Sequence, residues 1–577
     1  MSKRAPRLRY DLKTPFSDGT YDTWDIHPRP QMRRDAYLSL CGPWTLSVSK
    51  QGTKAPVGIV TVPFPPEAAL SGIGRTLEPG QCWIYERSFT LPDTFRGRRI
   101  LLHFGAIDQI ARLFCNDTLL TTHEGGYLPF TVELTDVLTD GENRLRIEVS
   151  DDLDLDLPYG KQSRKRGGMW YTPISGIWQA VWLECVPRTY VEQLKIDTTL
   201  RSVSIGTVGG TAEKTIAIET PDGSLETTYT GDCVTLEIPN PIHWTPDTPH
   251  LYPFTLTCGE DRITSYFALR TVTIESSNGQ AYICVNGKPT FFHGLLDQGY
   301  FSDGIYTPAS PQGYESDILT MKQLGFNMLR KHIKIEPELF YYYCDKHGMF
   351  VFQDMVNSGT YNFLIDTALP TVGLKRGITH RASPRRRAAF ETAAKETTEL
   401  LYNHPSVVYY TIFNEGWGQY DADRLYRELK AADPSRVWDA TSGWFFEHDS
   451  DVQSEHIYFK KIDLKSDPVR PLVLSEFGGY VLKDKEHSFN PDNTYGYKLF
   501  DTAEALTDAL AALYRNEVLP MIGRGLNAAV MTQVSDVEDE TNGMVTYDRQ
   551  VIKPDTAVMA TVAKELYARF EQHTNRT

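Results

Sequence analysis

The sequence predicts a multidomain protein that joins two β-sandwiches to an α/β barrel, and three observations carry that prediction. Residues 1–187 hold short apolar or alternating runs between turn residues, with no long helical period. Residues 188–273 repeat that texture around a Pro-rich connector. From residue 274 to 577 strand-like runs alternate with helical patterns, and about 300 residues of such alternation match a (β/α)8 TIM barrel in size.

In the first region 99–104 and 144–149 read as strands, bounded by turn signals such as Asn116-Asp117 and the segment 139–143. A jelly roll suits such a run of short strands. In the second region 215–218 and 234–238 read as strands, with the connector 239–246 between strands. About 85 residues suit an immunoglobulin-like β-sandwich. In the third, strands are expected at 291–296, 328–332, 350–355, 407–415, 437–442, 455–459, 472–477 and 528–534. Helices are expected from Pro311, with Ile318, Met321 and Leu324 on one face, from Pro337 to Gly348, and from the N-cap pair Ser383-Pro384. Two more carry Leu506, Leu510, Leu513 and Tyr514, and Met559, Val562, Leu566 and Phe570, on one face each. The pattern thus implies eight strand–helix units.

Charge and composition narrow the partners. The formal net charge is −15, which argues against nucleic acid and anionic membrane surfaces. The 10 Trp and 31 Tyr read mostly as sandwich core. The eight cysteines are scattered without a C-x-x-C pair, which fits reduced, buried thiols in a cytoplasmic protein and no zinc site. The basic start Met1–Arg7 is followed by no apolar stretch of the export or membrane-spanning kind. No ligand spacing supports a Mg²⁺ or Na⁺ site, so no cofactor is expected. Large sandwich surfaces suit a homo-oligomer.

The chemistry is expected at two glutamates. Glu415 closes the run Val407-Val408-Tyr409-Tyr410-Thr411-Ile412-Phe413-Asn414-Glu415, and Glu476 closes Pro471-Leu472-Val473-Leu474-Ser475-Glu476. Both runs read as strands buried on both faces, the fourth and seventh of the barrel. A carboxylate at the C-terminal end of such a strand packs poorly but sits well at a barrel mouth. Two of them make an acid and a nucleophile, the pair that glycosidic bond cleavage needs.

The segment His404-Pro405-Ser406-Val407 with Asn414-Glu415 closely resembles the acid/base signature of glycoside hydrolase family 2. Ser475-Glu476-Phe477-Gly478 resembles its nucleophile segment. Gly176-Ile177-Trp178-Gln179 and Val285-Asn286-Gly287-Lys288-Pro289 match as well, and the resemblance spans nearly the whole chain. It implies a jelly-roll sugar-binding sandwich, with Glu415 as general acid/base and Glu476 as nucleophile. It implies Asn414 on the sugar 2-hydroxyl, Arg330 beside the nucleophile, and Asp354 as an acidic residue near sugar hydroxyls. His456 and Tyr458, at the end of the sixth strand, are expected to approach the nucleophile.

Trp444 reads equally as a sugar platform and as core. Gln533, Asp536, Glu538, Asp539 and Glu540 lie at or beyond the eighth strand; Gln533 is expected to bind substrate, and the acidic cluster reads as a binder of a cation or of sugar hydroxyls or, more often and above all at Asp539, as solvated surface. Arg330-Lys331-His332-Ile333 departs by one position from the family's Arg-x-x-His, which leaves the role of His332 open. The Asn-x-Lys element that binds a uronate is missing after Glu476, and Lys331 or Lys334 is the other route to a substrate carboxylate. Arg330→Ala is expected to lose turnover while staying folded. The resemblance implies a retaining exo-β-glycosidase of β-galactosidase type, working on a small carbohydrate or glycoconjugate through a covalent glycosyl-enzyme. The alternatives are a β-glucuronidase or β-galacturonidase, and a non-catalytic carbohydrate-binding protein.

Overall fold

The structure is a computed structural model that describes residues 8–18, 24–371, 382–445 and 447–575. The basic run Met1–Arg7 lies outside the described residues.

A six-stranded antiparallel sheet comes first, in the order Thr53–Val62, Gly42–Lys50, Gln81–Thr90, Glu142–Ser150, Ile110–Cys115, Thr118–Glu124. It shares one apolar core with a four-stranded sheet of Tyr37–Ser39, Val181–Val186, Arg99–Phe104 and Phe130–Glu133. Alternation explains the face each strand buries: Leu145, Ile147 and Val149 point into that core, while Arg144, Arg146 and Glu148 do not. The Asn116-Asp117 turn closes a two-residue hairpin with φ of 48° and 64°, the left-handed pair that such a turn needs.

A second pair of sheets follows. One holds Val191–Thr198, Ser202–Gly209 and Cys233–Glu237, the other Gly223–Tyr229, Lys214–Thr220, Tyr252–Cys258 and Asp261–Phe267. Their core includes Ile205, Ile216, Phe254 and Phe267. Arg34 ties the two sandwiches together with Nη1 3.0 Å from Glu184 and Nε 2.8 Å from Asp261, all buried.

The barrel strands are β1 (Phe292–Asp297), β2 (Met328–Lys331), β3 (Phe350–Asp354), β4 (Val407–Phe413), β5 (Val437–Thr441), β6 (Gln453–Ile457), β7 (Leu472–Gly478) and β8 (Leu526–Thr532). They form one parallel ladder in the order β5-β4-β3-β2-β1-β8-β7-β6. Strands β1 to β5, β7 and β8 are buried along their whole length, with apolar stretches that carry polar residues such as Arg330, Asp354 and Glu476 towards the barrel mouth.

The β5–β6 seam is not laddered. Instead the Trp438 amide donates to Asp451 at 2.9 Å, the Asp451 amide to the Trp438 carbonyl at 3.0 Å, and the Ala440 amide to Ser450 Oγ at 3.2 Å. Among the described residues six long helices cover the outside: α1 (Gln312–Gln323), α2 (Glu338–His347), α3 (Pro384–Leu401), α4 (Ala422–Ala432), α5 (Ala503–Leu513) and α6 (Thr556–Thr574). The expectation of eight strand–helix units is therefore corrected. Among the described residues no helix joins β5 to β6 or β6 to β7. The first link, 442–452, has no apolar period, and the second, 458–471, is broken by Pro468 and Pro471.

Ser383 Oγ accepts from the Arg386 amide at 3.0 Å and caps α3 as its sequence implies. The cysteines are free, but Cys233 is exposed and Cys82 half-buried, so the expectation of buried thiols fails at those two. Among the described residues no helix is long and apolar enough to cross a membrane.

Candidate active site

Strands β4 and β7 bring Glu415 and Glu476 to the same end of the barrel, on opposite sides of the mouth. A carboxylate oxygen of each, together with a ring nitrogen of His456, lies within 4.8 Å of the others. Glu415 turns into this space with φ of +51°, a left-handed setting that a non-glycine residue holds only under constraint. Gly443 leaves room for it: a Cβ there would meet His456 Nδ1 at 3.2 Å and Glu415 Cγ at 3.4 Å. His456 Nδ1 is 2.9 Å from Glu415 and 3.5 Å from Glu476.

Arg330, fully buried at the end of β2, is the hub. Its Nε donates to Asp354 at 3.0 Å, Nη1 to Glu476 at 3.1 Å and to the Ser475 carbonyl at 2.9 Å. Its Nη2 donates to Asn414 Oδ1 at 2.9 Å and to Ser442 Oγ at 3.1 Å. Asn414 Oδ1 also accepts from Ser442 Oγ at 2.9 Å, so its amide nitrogen carries no hydrogen bond among the described residues. Tyr458 donates to Glu476 Oε2 at 2.5 Å and lies 2.8 Å from Thr532 Oγ1. Trp444 is half-buried with its ring 5.7 Å from that of His456. His332 Nδ1 sits 2.8 Å from Asp354 Oδ2, which gives His332 a place behind Arg330 despite the shifted spacing.

Three family profiles match in chain order. They are "Glycosyl hydrolase 2 galactose-binding domain-like" over residues 77–173, "Glycosyl hydrolases family 2" over 186–270, and "Glycosyl hydrolases family 2, TIM barrel domain" over 277–483. The chain belongs to glycoside hydrolase family 2. It is 26% identical over 442 residues to a β-galactosidase of Aeromonas hydrophila, covering 69% of this chain and 40% of that protein. It is 25% identical over 427 residues to a β-glucuronidase of Felis catus, covering 65% and 62%. A β-D-glucuronidase structure from Dictyoglomus thermophilum aligns with a TM-score of 0.73 at 19% identity, over 94% of this chain and 98% of that one, and so shares the fold. The chain thus spans about two-fifths of the length of the β-galactosidase it matches.

Gln533 is buried, its amide nitrogen donating to Asn542 Oδ1 at 2.7 Å and its amide oxygen left without a partner among the described residues. The family 2 site differs in three places from the sequence expectation. The charge run is not solvated. Asp536, Glu538, Asp539 and Glu540 are all buried. Lys553 lies 2.6 Å from Asp536, Arg166 3.1 Å from Glu538 and 3.3 Å from Asp539, while Tyr171 donates to Glu540. Glu538, Asp539 and Glu540 fix a loop of the first sandwich against the barrel, while Asp536 is held by Lys553 within the barrel itself. Lys331 is consumed by Asp297 at 2.7 Å and Glu336 at 2.9 Å. Lys334 spends all three protons on the carbonyls of Gly299 and Tyr306 and on Glu336. Neither lysine is left for a substrate.

Sequence reasoning missed Ser442, Trp417 and Lys161. Trp417 stood two residues after Glu415 and was visible. Lys161 comes from the sandwich loop, which docks on the barrel through the Tyr159 amide to the Asn357 carbonyl at 3.0 Å and Tyr159 Oη to the Gly359 carbonyl at 2.6 Å.

Burial pushes the Glu476 carboxyl up, but His456, Arg330, His332 and Lys161 outweigh it and hold it down to about 2. Of these, Arg330 is the permanent charge in direct contact with Glu476, since Asp354 and Glu476 overcome its own burial and raise its pKa. His332 is pushed down to about 4 by burial and by Lys161, so it is neutral near pH 7 and adds no charge there. Burial and the charge of Glu476 push the Tyr458 phenol far up, so it stays a donor to that carboxylate. Glu415, His456 and Glu476 also offer three metal-ligating atoms, yet each is already partnered within the cluster, which suits proton handling.

Tyr458→Phe is expected to lower kcat/KM by about 10- to 100-fold, the worth of one hydrogen bond to a charged group. Steady-state kinetics on a nitrophenyl glycoside beside the circular dichroism of the variant checks this. An unchanged kcat/KM in a folded variant removes the phenol from the chemistry.

Proposed function

We propose that this chain is a retaining exo-β-glycosidase that releases one sugar from the non-reducing end through a covalent glycosyl-enzyme. One observation carries the reading: carboxylate oxygens of Glu415 and Glu476 approach within 4.8 Å across the barrel mouth. Carboxyls about 5–5.5 Å apart suit direct attack, whereas an inverting site needs roughly 6.5–9.5 Å to seat a water. Glu476, held ionised, attacks the anomeric carbon. Glu415 protonates the leaving oxygen and then takes a proton from the incoming water. Asn414, with a free amide nitrogen, is oriented for the 2-hydroxyl. The proposed division of labour is a sugar-binding-type sandwich over 1–187, an immunoglobulin-like sandwich over 188–273 and a catalytic barrel over 274–577.

A β-galactoside is the first substrate, supported by the curated relatives and by the loss of Lys331 and Lys334 as carboxylate binders. A β-uronide is the second, favoured by Lys161. Its ammonium has no acceptor among the described residues, and its charge reaches Glu476 and His332. Initial rates on 4-nitrophenyl β-galactoside, glucoside, mannoside, glucuronide and galacturonide separate these readings. Proton NMR of the first-formed sugar should show the β-anomer. Release of the α-anomer ends the retaining assignment, and no turnover on any of the five leaves a carbohydrate-binding protein.

A further inference from the structure

Both carboxylates have aromatic rings beside them, and apart from Tyr458 the cleavage chemistry does not use these rings. On the Glu415 side, Trp417 packs 5.0 Å from Trp170 and 5.6 Å from Tyr361, and Trp170 lies 5.5 Å from Tyr361. Trp417 stands two residues beyond the acid, and its amide donates to the Asn414 carbonyl at 2.9 Å. On the Glu476 side, Tyr458 touches the carboxylate and packs 4.5 Å from Tyr497, which packs 4.7 Å from Phe459. The two walls meet. A Cβ on Gly168, in the Trp170 loop, would lie 3.5 Å from the ring of Tyr495, and Tyr495 is 6.1 Å from Tyr497.

The outer rim is apolar and open. Phe459 is 74% exposed, and Phe363, two residues beyond Tyr361, is 65% exposed. A single exposed ring needs no explanation, but exposed rings continuous with a walled reaction centre mark a ligand surface. A second sugar at this place needs partners for its hydroxyls, and Phe459 and Phe363 supply none. A flat ring system needs only faces and edges to pack on, which these walls offer.

We infer that the barrel mouth holds a leaving-group subsite for a planar, apolar aglycone, so that the preferred substrates are aryl-bearing β-glycosides and not sugar-to-sugar linkages. This rests on the glycosidase reading above. The bond that breaks joins the anomeric carbon to the aglycone oxygen. That oxygen takes the proton of Glu415, and water later supplies the hydroxyl of the released sugar and returns a proton to Glu415. Tyr361 feels the charge of Glu415, so the half-buried Trp170–Tyr361 edge, backed by the buried Trp417, lies on the side from which the proton comes, where the departing group must sit.

The test keeps the sugar fixed as the one the nitrophenyl panel selects and varies the aglycone at nearly constant leaving-group basicity. The 2-naphthylmethyl and methyl β-glycosides of that sugar are both alkoxide-leaving substrates. The kcat/KM ratio of naphthylmethyl to methyl is expected to exceed about tenfold, since even partial burial of such a ring is worth a decade in binding. In Phe459→Ser and Phe363→Ser, changes at exposed positions that spare the folded core, the ratio is expected to fall at least threefold. A ratio near one overturns the inference, as does a ratio that neither variant moves. A disaccharide with the same terminal sugar that outruns the naphthylmethyl glycoside also overturns it, because the cleft is then a second sugar site. Absence of hydrolysis on the nitrophenyl panel, by contrast, sinks the glycosidase reading itself.

Discussion

Glu476→Ala is expected to lower turnover by about four orders of magnitude or more, about 5 kcal/mol in barrier height, and to give an α-glycosyl azide when azide is added. Removal of the carboxylate leaves a space below the anomeric carbon. Azide enters it and displaces a good leaving group from the face opposite the β-bond. Glu415→Ala should behave in the opposite way. Its nucleophile is intact, so an activated substrate still forms the glycosyl-enzyme without protonation of the leaving group. Azide then intercepts that intermediate from the other face and gives the β-glycosyl azide. On the proposed retaining mechanism the two products differ because the pair flanks the sugar from opposite faces, and carboxylate oxygens within 4.8 Å fit the spacing of such a pair better than the roughly 6.5–9.5 Å of an inverting one. Proton coupling at the anomeric carbon reads the outcome directly. Products swapped between the variants reverse the two roles, and unimpaired hydrolysis in both ends the assignment.

The barrel and its pair of glutamates were legible because they depend on short-range pattern. A strand buried on both faces reads as a mostly apolar run, and a carboxylate closing such a run is conspicuous, as Glu415 and Glu476 are. What failed depends on partners far away in the chain. The acids at 538–540 look like solvated surface until Arg166, Tyr171 and Thr172, from a sandwich loop some hundreds of residues upstream, cover them. Lys331 and Lys334 look free because Asp297 and Glu336, which neutralise them, announce nothing in the sequence. The missing helices beside β6 were misjudged for a different reason: the count of eight units came from eight strand-like runs matched to barrel size, while Pro468 and Pro471 already spoke against a helix there. Trp170 and Lys161 approach the mouth only through domain docking, which no spacing encodes.

The same distinction revises what Arg330→Ala should do. Sequence reasoning expects a folded enzyme without turnover, but Arg330 donates to Asp354, Glu476, Asn414, Ser442 and the Ser475 carbonyl from a fully buried position. The truncation strands two buried carboxylates without their shared cation, a loss of about 3–5 kcal/mol against a total stability of roughly 5–15 kcal/mol. Urea midpoints should therefore drop sharply, and activity must be read on the fraction still folded. The pH dependence then isolates the electrostatic role. In the native chain Glu476 is held at about 2, below its ordinary 4.5. A depressed carboxyl contributes stability that is fully present above the unfolded value and is lost as pH falls from about 4.5 towards 2. Without Arg330, burial, the largest influence on this carboxyl and one that raises it, meets less opposition. The Glu476 pKa rises, its stabilising contribution over that window shrinks, and the acid limb of kcat/KM moves up by more than one pH unit. Arg330→Lys keeps the charge but not the planar fork that also positions Asn414, so it should restore most of the acid limb and little of the turnover. If Arg330→Ala keeps the wild-type acid limb in its folded fraction, some other charge holds Glu476 ionised and Arg330 is only a structural tie.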